Sequence, residues 1–283
     1  MIKPTDISRR TDLKLEAFWR AQGSVIIRNM LRTAGHFALS DLGVRIVGEK
    51  GSGKLPLARL IHQASSRGSF SFVHIDCAEL MHRDPEKALL GTERSGRDGN
   101  ETEPGLLETT DGGTIYLDTY PLLPGSIRDL LFKALDMKHF RRIGGTKDVR
   151  MNVRIINGIT KRPGPGGAEN DTETDMSMRI SPVCINIPHL RERREDIESL
   201  IYLFLAECSE EMKKYVNGIT SEALEVCRYY GWPGNIYELR NVIRHSALRC
   251  KGPTLELDHL PEYIRHENRV RGMHRVKDLS SNL

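Results

Sequence analysis

The sequence predicts an α/β fold: a parallel sheet flanked by helices, with a small helical subdomain after it. Three observations carry this. Short β-branched runs alternate with helix-period segments through the first two thirds of the chain. The run at 44–47 breaks into a glycine-rich loop that opens a helix, and after Pro188 only helical spacing remains. A length of 283 residues fits one large domain or a domain with a satellite.

Residues 1–43 read as a helical lead-in, with Phe18, Trp19, Val25, Ile26, Met30 and Leu31 as packing positions. The run 44–47 is short and β-branched, as a buried parallel strand is. The loop that follows is Gly48, Glu49, Lys50, Gly51, Ser52, Gly53, Lys54 and Leu55. Its glycines let the backbone turn tightly and aim several N–H groups at one anion. Leu57, Leu60 and Ile61 then recur at helical spacing, and Pro56 suits the first turn. The helix N-terminus therefore points at the same anion, and Lys54 supplies charge for terminal phosphates. The spacing G-x-x-x-x-G-K is that of a P-loop, but Leu55 stands where a hydroxyl usually holds magnesium, so the cation site is weakened. A strand–helix turn that binds nothing is the competing reading.

Further strands are predicted at 70–77, at 114–118 (ending on Asp118) and at 152–157; helices are predicted at 84–90 and 127–135. Ile127, Leu130, Leu131 and Ala134 share one face of the second helix. Residues 91–105 and 161–175 are polar and glycine-rich and read as loops. Beyond Pro188, helices are predicted at 196–208, at 220–230 with Thr220 as cap, and from Asn235, where Glu238 completes a capping box. The expected division is a nucleotide-binding subdomain at 1–188, a helical lid at 189–266 and a basic tail at 267–283.

Composition narrows the classes. No apolar stretch reaches the ~18–20 residues of a membrane span, and the N-terminus lacks an apolar leader. Five scattered cysteines, with no metal spacing, read as reduced thiols of a cytoplasmic protein. A net charge of +4 is mild. The charged run 190–197 reads as a solvated linker. His62, His74 and His189 read as packed or surface residues without partners at ligand spacing, and Trp232 as an apolar anchor.

Asp111-Gly-Gly-Thr-Ile-Tyr-Leu-Asp118 resembles the Walker B region of the AAA+ domain of sigma-54-dependent transcription activators, the bacterial enhancer-binding proteins. Gly48–Leu55 is similar to their phosphate loop, with Leu55 in place of a family glutamate. Phe140-Arg-Arg-Ile-Gly-Gly-Thr-Lys147, Val153-Arg-Ile-Ile156, Leu190-Arg-Glu-Arg-Arg-Glu-Asp-Ile197 and Trp232-Pro-Gly-Asn235 with Glu238-Leu239 also match, in order, over roughly residues 20–265. The resemblance implies an AAA+ P-loop fold with a helical lid, assembled into a ring that binds ATP between subunits. It implies Gly48–Leu55 and Asp118 as nucleotide-binding, and Asp118 as the residue that meets Mg2+ through water.

Other family positions are changed. The glutamate after Asp118 is Thr119, and the asparagine that restrains it is Asp76. The sensor asparagine is Thr160. One trans-acting arginine matches Arg179, the other falls on Glu173, and the lid arginine is Tyr237. The sigma-contacting loop reads Ser95-Gly-Arg-Asp-Gly-Asn100, whose charge pair argues against contact with sigma-54 and RNA polymerase. Activating the attacking water is worth roughly 10²–10⁴-fold and an arginine finger roughly 10³–10⁵-fold. ATP binding therefore outlasts turnover. Asp76, Arg179 and Arg240 remain as candidate catalytic residues, Asp76 as a substitute acid and Arg240 as a substitute lid arginine.

The expected protein binds ATP, hydrolyses it poorly, and regulates transcription by joining AAA+ relatives as a self- or hetero-oligomer. It has no DNA-binding helix-turn-helix and no membrane segment. An active ATPase that remodels a polymerase complex and a nucleotide-free scaffold are the alternatives.

Overall fold

A computed structural model describes residues 17–19, 21–96, 99–161 and 178–265. The chain forms two compact units, one of residues 30–48 and 54–187, the other of residues up to 29, 49–53 and from 188 onward.

Helix α1 (Val25–Ala38) leads into β1 (Val44–Gly48) and α2 (Lys54–Gln63). β2 (Phe72–Asp76) runs directly into two short helices, α3 (Cys77–Met81) and α4 (Pro85–Leu90). A hairpin of β3 (Gly91–Gly96) and β4 (Gly99–Pro104) follows, then α5 (Leu106–Thr109), β5 (Thr114–Asp118) and α6 (Gly125–Met137). A second hairpin, β6 (His139–Arg141) with β7 (Asp148–Arg150), precedes β8 (Arg154–Thr160) and β9 (Val183–Asn186). The central sheet is entirely parallel, in the order β2-β5-β8-β1-β9.

All of β1 and nearly all of β5 and β8 are buried, as expected for strands covered by helices on both faces. β1 lies between β8 and β9, and β5 between β2 and β8, so the ends of β1 and β5 are held by hydrogen bonds on both sides. Arg154, the arginine of the Val-Arg-Ile-Ile motif, is buried and donates to the carbonyls of Phe37, Ala38 and Leu42. It thereby satisfies orphan acceptors at the end of α1.

The second unit holds α7 (Glu195–Met212), α8 (Ser221–Tyr229) and α9 (Asn235–Arg249), with a two-stranded parallel pair, β10 (Gly218–Ile219) and β11 (Thr254–Leu255). Its core centres on Leu200, Phe204, Trp232, Leu239 and Ile243. Trp232 is fully buried and donates Nε1–H to the Cys227 carbonyl at 2.7 Å, as a buried indole requires. Thr220 caps α8 through its side chain.

Several expectations change. Residues 91–96 and 99–104 are not loop but paired antiparallel strands, with Gly91 opposite Pro104 and Glu93 opposite Thr102. These polar strands carry no apolar alternation to betray them. The third predicted strand starts at Arg154 and runs on to Thr160. Val25 and Ile26 face solvent, while Ile27, Met30, Ala34 and Ala38 are buried on α1. The run 190–197 is not simply solvated, since Arg193 and Asp196 are fully buried. The predicted loop at 161–175 and the tail at 267–283 lie outside the described residues, save Lys161; so does Glu173.

Candidate functional site

The loop between β1 and α2 takes the conformation its glycines allow. Gly51 and Gly53 sit at φ +73° and +106°, which side chains rarely adopt. A Cβ on Gly51 would lie 2.2 Å from the Gly234 carbonyl oxygen, so this position also needs the absence of a side chain for close approach. Lys54 opens α2, is largely buried, and donates Nζ–H to the Gly48 carbonyl at 3.2 Å. Burial lowers its pKa, and the attraction of Asp118 acts against that shift. Ser52 is fully buried and its Oγ has no hydrogen-bond partner among the described residues. A buried orphan hydroxyl, a buried lysine and a strand–loop–helix turn together fit a phosphate group.

The crown of this loop is braced by charge. Glu49 is buried, and its two carboxylate oxygens accept from Arg191 Nη1 and Nη2, each at 2.9 Å. Asn235 Nδ2 donates to Glu49 Oε2 at 2.9 Å and to the Lys50 carbonyl at 3.2 Å. His189 Nδ1 lies 3.1 Å from Glu49 Oε2. The Arg191 hydrogen bonds above all hold the Glu49 carboxyl down at about 2, against the opposing effect of burial. Asn235 is thus no side-chain cap for α9. Its amide faces Glu49 and its Oδ1 accepts from Leu190 N–H, while Glu238 still accepts from Gly234 N–H as the other half of the expected box. Arg193 bonds Gln22 and the Ser52 carbonyl, and Asp196 accepts two bonds from Ser24 at 2.8 and 2.7 Å. Tyr237 donates its backbone N–H to the Gly51 carbonyl, while its side chain is exposed.

The second acid sits at the end of β5. Register places Asp76 beside Asp118 and His74 beside Tyr116. Tyr116 Oη donates to Asp118 Oδ1 at 3.2 Å, and His74 Nε2 lies 3.8 Å from Asp118 Oδ2. Burial raises the Asp118 pKa, but His74, Lys54 and Tyr116 outweigh it and hold the carboxyl below its ordinary value. His74 therefore does have a carboxylate beside it, as does His189, while His62 bonds Thr114 Oγ1 at 2.9 Å.

The remaining candidates are engaged elsewhere. Asp76 is exposed and caps α3, accepting from Ala78 N–H at 2.8 Å and Glu79 N–H at 3.4 Å. Arg240 pairs with Glu207 at 2.9 Å. The Arg179 guanidinium lies 5.9 Å from the centre of the Phe132 ring. Thr119 stands in the left-handed region at φ 56°, an unusual place for a β-branched residue. Lys50 is exposed and Leu55 half-buried. The Leu55 side chain offers no oxygen, and one oxygen of the Asp118 carboxylate already accepts from Tyr116, with His74 3.8 Å from the other. The loop fits a phosphate; these two residues do not fit a divalent cation.

The chain matches known protein families over most of its length. Residues 21–186 match the sigma-54 interaction domain, and residues 191–276 match the AAA+ ATPase lid domain. The chain belongs to the sigma-54 activator family of AAA+ proteins. The alginate biosynthesis transcriptional regulatory protein AlgB of Pseudomonas aeruginosa is 35% identical over 82% of this chain and 52% of its own length. The regulatory protein AtoC of Escherichia coli is 32% identical over 86% of this chain and 53% of its own. The chain thus spans about half the length of the curated relatives it matches. NtrX from Brucella abortus, crystallised in complex with ATP, superposes with a TM-score of 0.72 at 30% identity, covering 85% of this chain and 54% of NtrX. Hsp104, at 17% identity and a TM-score of 0.57, shares the fold.

Proposed function

We propose that this chain binds ATP in the cytoplasm through Gly48–Leu55, turns it over poorly, and regulates transcription by associating with AAA+ subunits, its own or a relative's. Residues 1–188 form the nucleotide-binding part and 189–266 its lid. One observation carries the reading: the phosphate loop is intact and braced, while the position after Asp118 is Thr119, which cannot take a proton from water at neutral pH. Binding relies on the loop amides and Lys54, which remain. Hydrolysis relies on groups this chain has replaced, each worth orders of magnitude in rate. NtrX, a structural neighbour, was crystallised with ATP, which favours this ligand. No step is assigned to magnesium.

Calorimetric titration with ATP tests the binding half. Saturable heat is expected from the native chain, and a Lys54→Ala variant should weaken binding at least tenfold, about what a charged hydrogen bond of 1.5–3 kcal/mol contributes. No heat from the native chain in any buffer would leave the scaffold reading. The association half is read from sedimentation with and without ATP, where a strictly monomeric chain at all concentrations would contradict it.

A further inference from the structure

Asp118 is held more tightly than an acid awaiting a cation. Tyr116 and Asp118 lie two residues apart on β5 and so point to one face of the sheet. Tyr116 is fully buried, and a buried phenol needs a hydrogen-bond partner. Its partner is Asp118 Oδ1 at 3.2 Å. Gly158 on β8 makes the room: a Cβ there would stand 2.3 Å from Tyr116 Oη and 3.1 Å from Asp118 Oδ1. On the other flank His74 lies 3.8 Å from Oδ2, its ring centre 5.5 Å from that of Tyr116. The carboxylate accepts a hydrogen bond from β5 itself and has the imidazole of β2 beside it.

Magnesium demands near-ideal octahedral geometry and gives up water reluctantly, so it rewards a carboxylate free to turn toward it. Here the carboxylate is fixed and Leu55 adds no oxygen. We propose that Tyr116 and His74 hold Asp118 closed to a cation, so that this chain binds nucleoside triphosphate with little dependence on Mg2+. This rests on the reading that Gly48–Leu55 binds ATP. The opposite role is also chemically coherent, since outer-shell hydrogen bonds can orient a carboxylate toward a metal. The two roles differ in sign.

The test is the dissociation constant for ATP by calorimetry, in excess Mg2+ and in EDTA, for the native chain, Tyr116→Phe and His74→Ser. The native constants are expected to agree within about threefold, below the roughly 5–150-fold of ordinary coupling between ligands. Tyr116→Phe should open a ratio of about tenfold or more, in that coupled range, through tighter binding in Mg2+. His74 is partly exposed, so His74→Ser leaves the fold intact and should move the ratio the same way by a smaller factor. A native chain that binds only with Mg2+ would overturn the inference and leave ATP binding standing, as would a ratio that Tyr116→Phe leaves unchanged or lowers. Binding in neither buffer would remove both.

Discussion

The phosphate loop and the end of β5 are built from similar materials and end in opposite conditions. Each places an acid beside polar partners, Glu49 beside a guanidinium and an amide, Asp118 beside a phenol and an imidazole. At the loop, Glu49 is bound by Arg191 and Asn235, and the result is a braced backbone leading into Lys54, whose Nζ donates to the Gly48 carbonyl. At β5, the acid is Asp118, the residue proposed for chemistry, and it accepts from Tyr116 with His74 beside it. A structural acid gains from being bonded; a functional one loses. If the proposed function holds, the same device preserves binding at one place and suppresses chemistry at the other.

Substitutions can break this contrast. The largest effect is expected from Glu49→Ala, which strands the Arg191 guanidinium and the Asn235 amide. Unpairing a buried ion pair costs about 3–5 kcal/mol; because Arg191 is partly exposed, about 2–3 kcal/mol is expected, read from denaturant midpoints. Asp118→Asn, which keeps a partner for Tyr116, should cost less than Glu49→Ala; equal losses would erase the distinction between the two acids.

Gly158→Ala comes next. A Cβ 2.3 Å from the Tyr116 hydroxyl overpacks the site, and a loss of about 1–3 kcal/mol is expected, part of which Tyr116→Phe restores in the double variant. Additive losses would show that Gly158 does not exist to house the hydroxyl. The smallest effect is at Thr119. A threonine in the left-handed region stores strain of about 1–3 kcal/mol. Thr119→Gly should release it for a net gain of about 0.5–1 kcal/mol once the extra chain entropy of glycine is subtracted.

Acid sharpens the comparison from another side. The Glu49 carboxyl titrates at about 2 when folded against 4.5 ordinarily, so its stabilisation is fully present above pH 4.5 and is lost as the pH falls toward 2. Thermal unfolding of the native chain should weaken across that window, and Glu49→Gln should flatten the dependence.

Four strands of the sheet and the loop were legible in the sequence because β-branched runs and glycine spacing report directly on local structure, while the short edge strand β9 was not predicted. Thr220 as a cap was legible for the same reason, since its partner Ala223 is three residues away. What stayed hidden depends on distant pairing. Arg191, Arg193 and Asp196 look like a solvated run until Glu49, Ser52, Gln22 and Ser24 come against them. Tyr116 reads as one more strand residue, and only the packing of Gly158 on β8 against it shows the room left for its hydrogen bond to Asp118. The hairpin at 91–104 was missed because its polar strands show no burial signal. A bridge between Thr92 and Ile143, with Arg142 reaching Glu93 and Glu108, ties it to the segment after β6.

The central claim, nucleotide held without turnover, is tested most directly by phosphate release at an ATP concentration that saturates the calorimetric titration. The account predicts release far below the ordinary enzymatic range, whose lower bound is about 1 s⁻¹. Release at about 1 s⁻¹ or faster under the same conditions would contradict it.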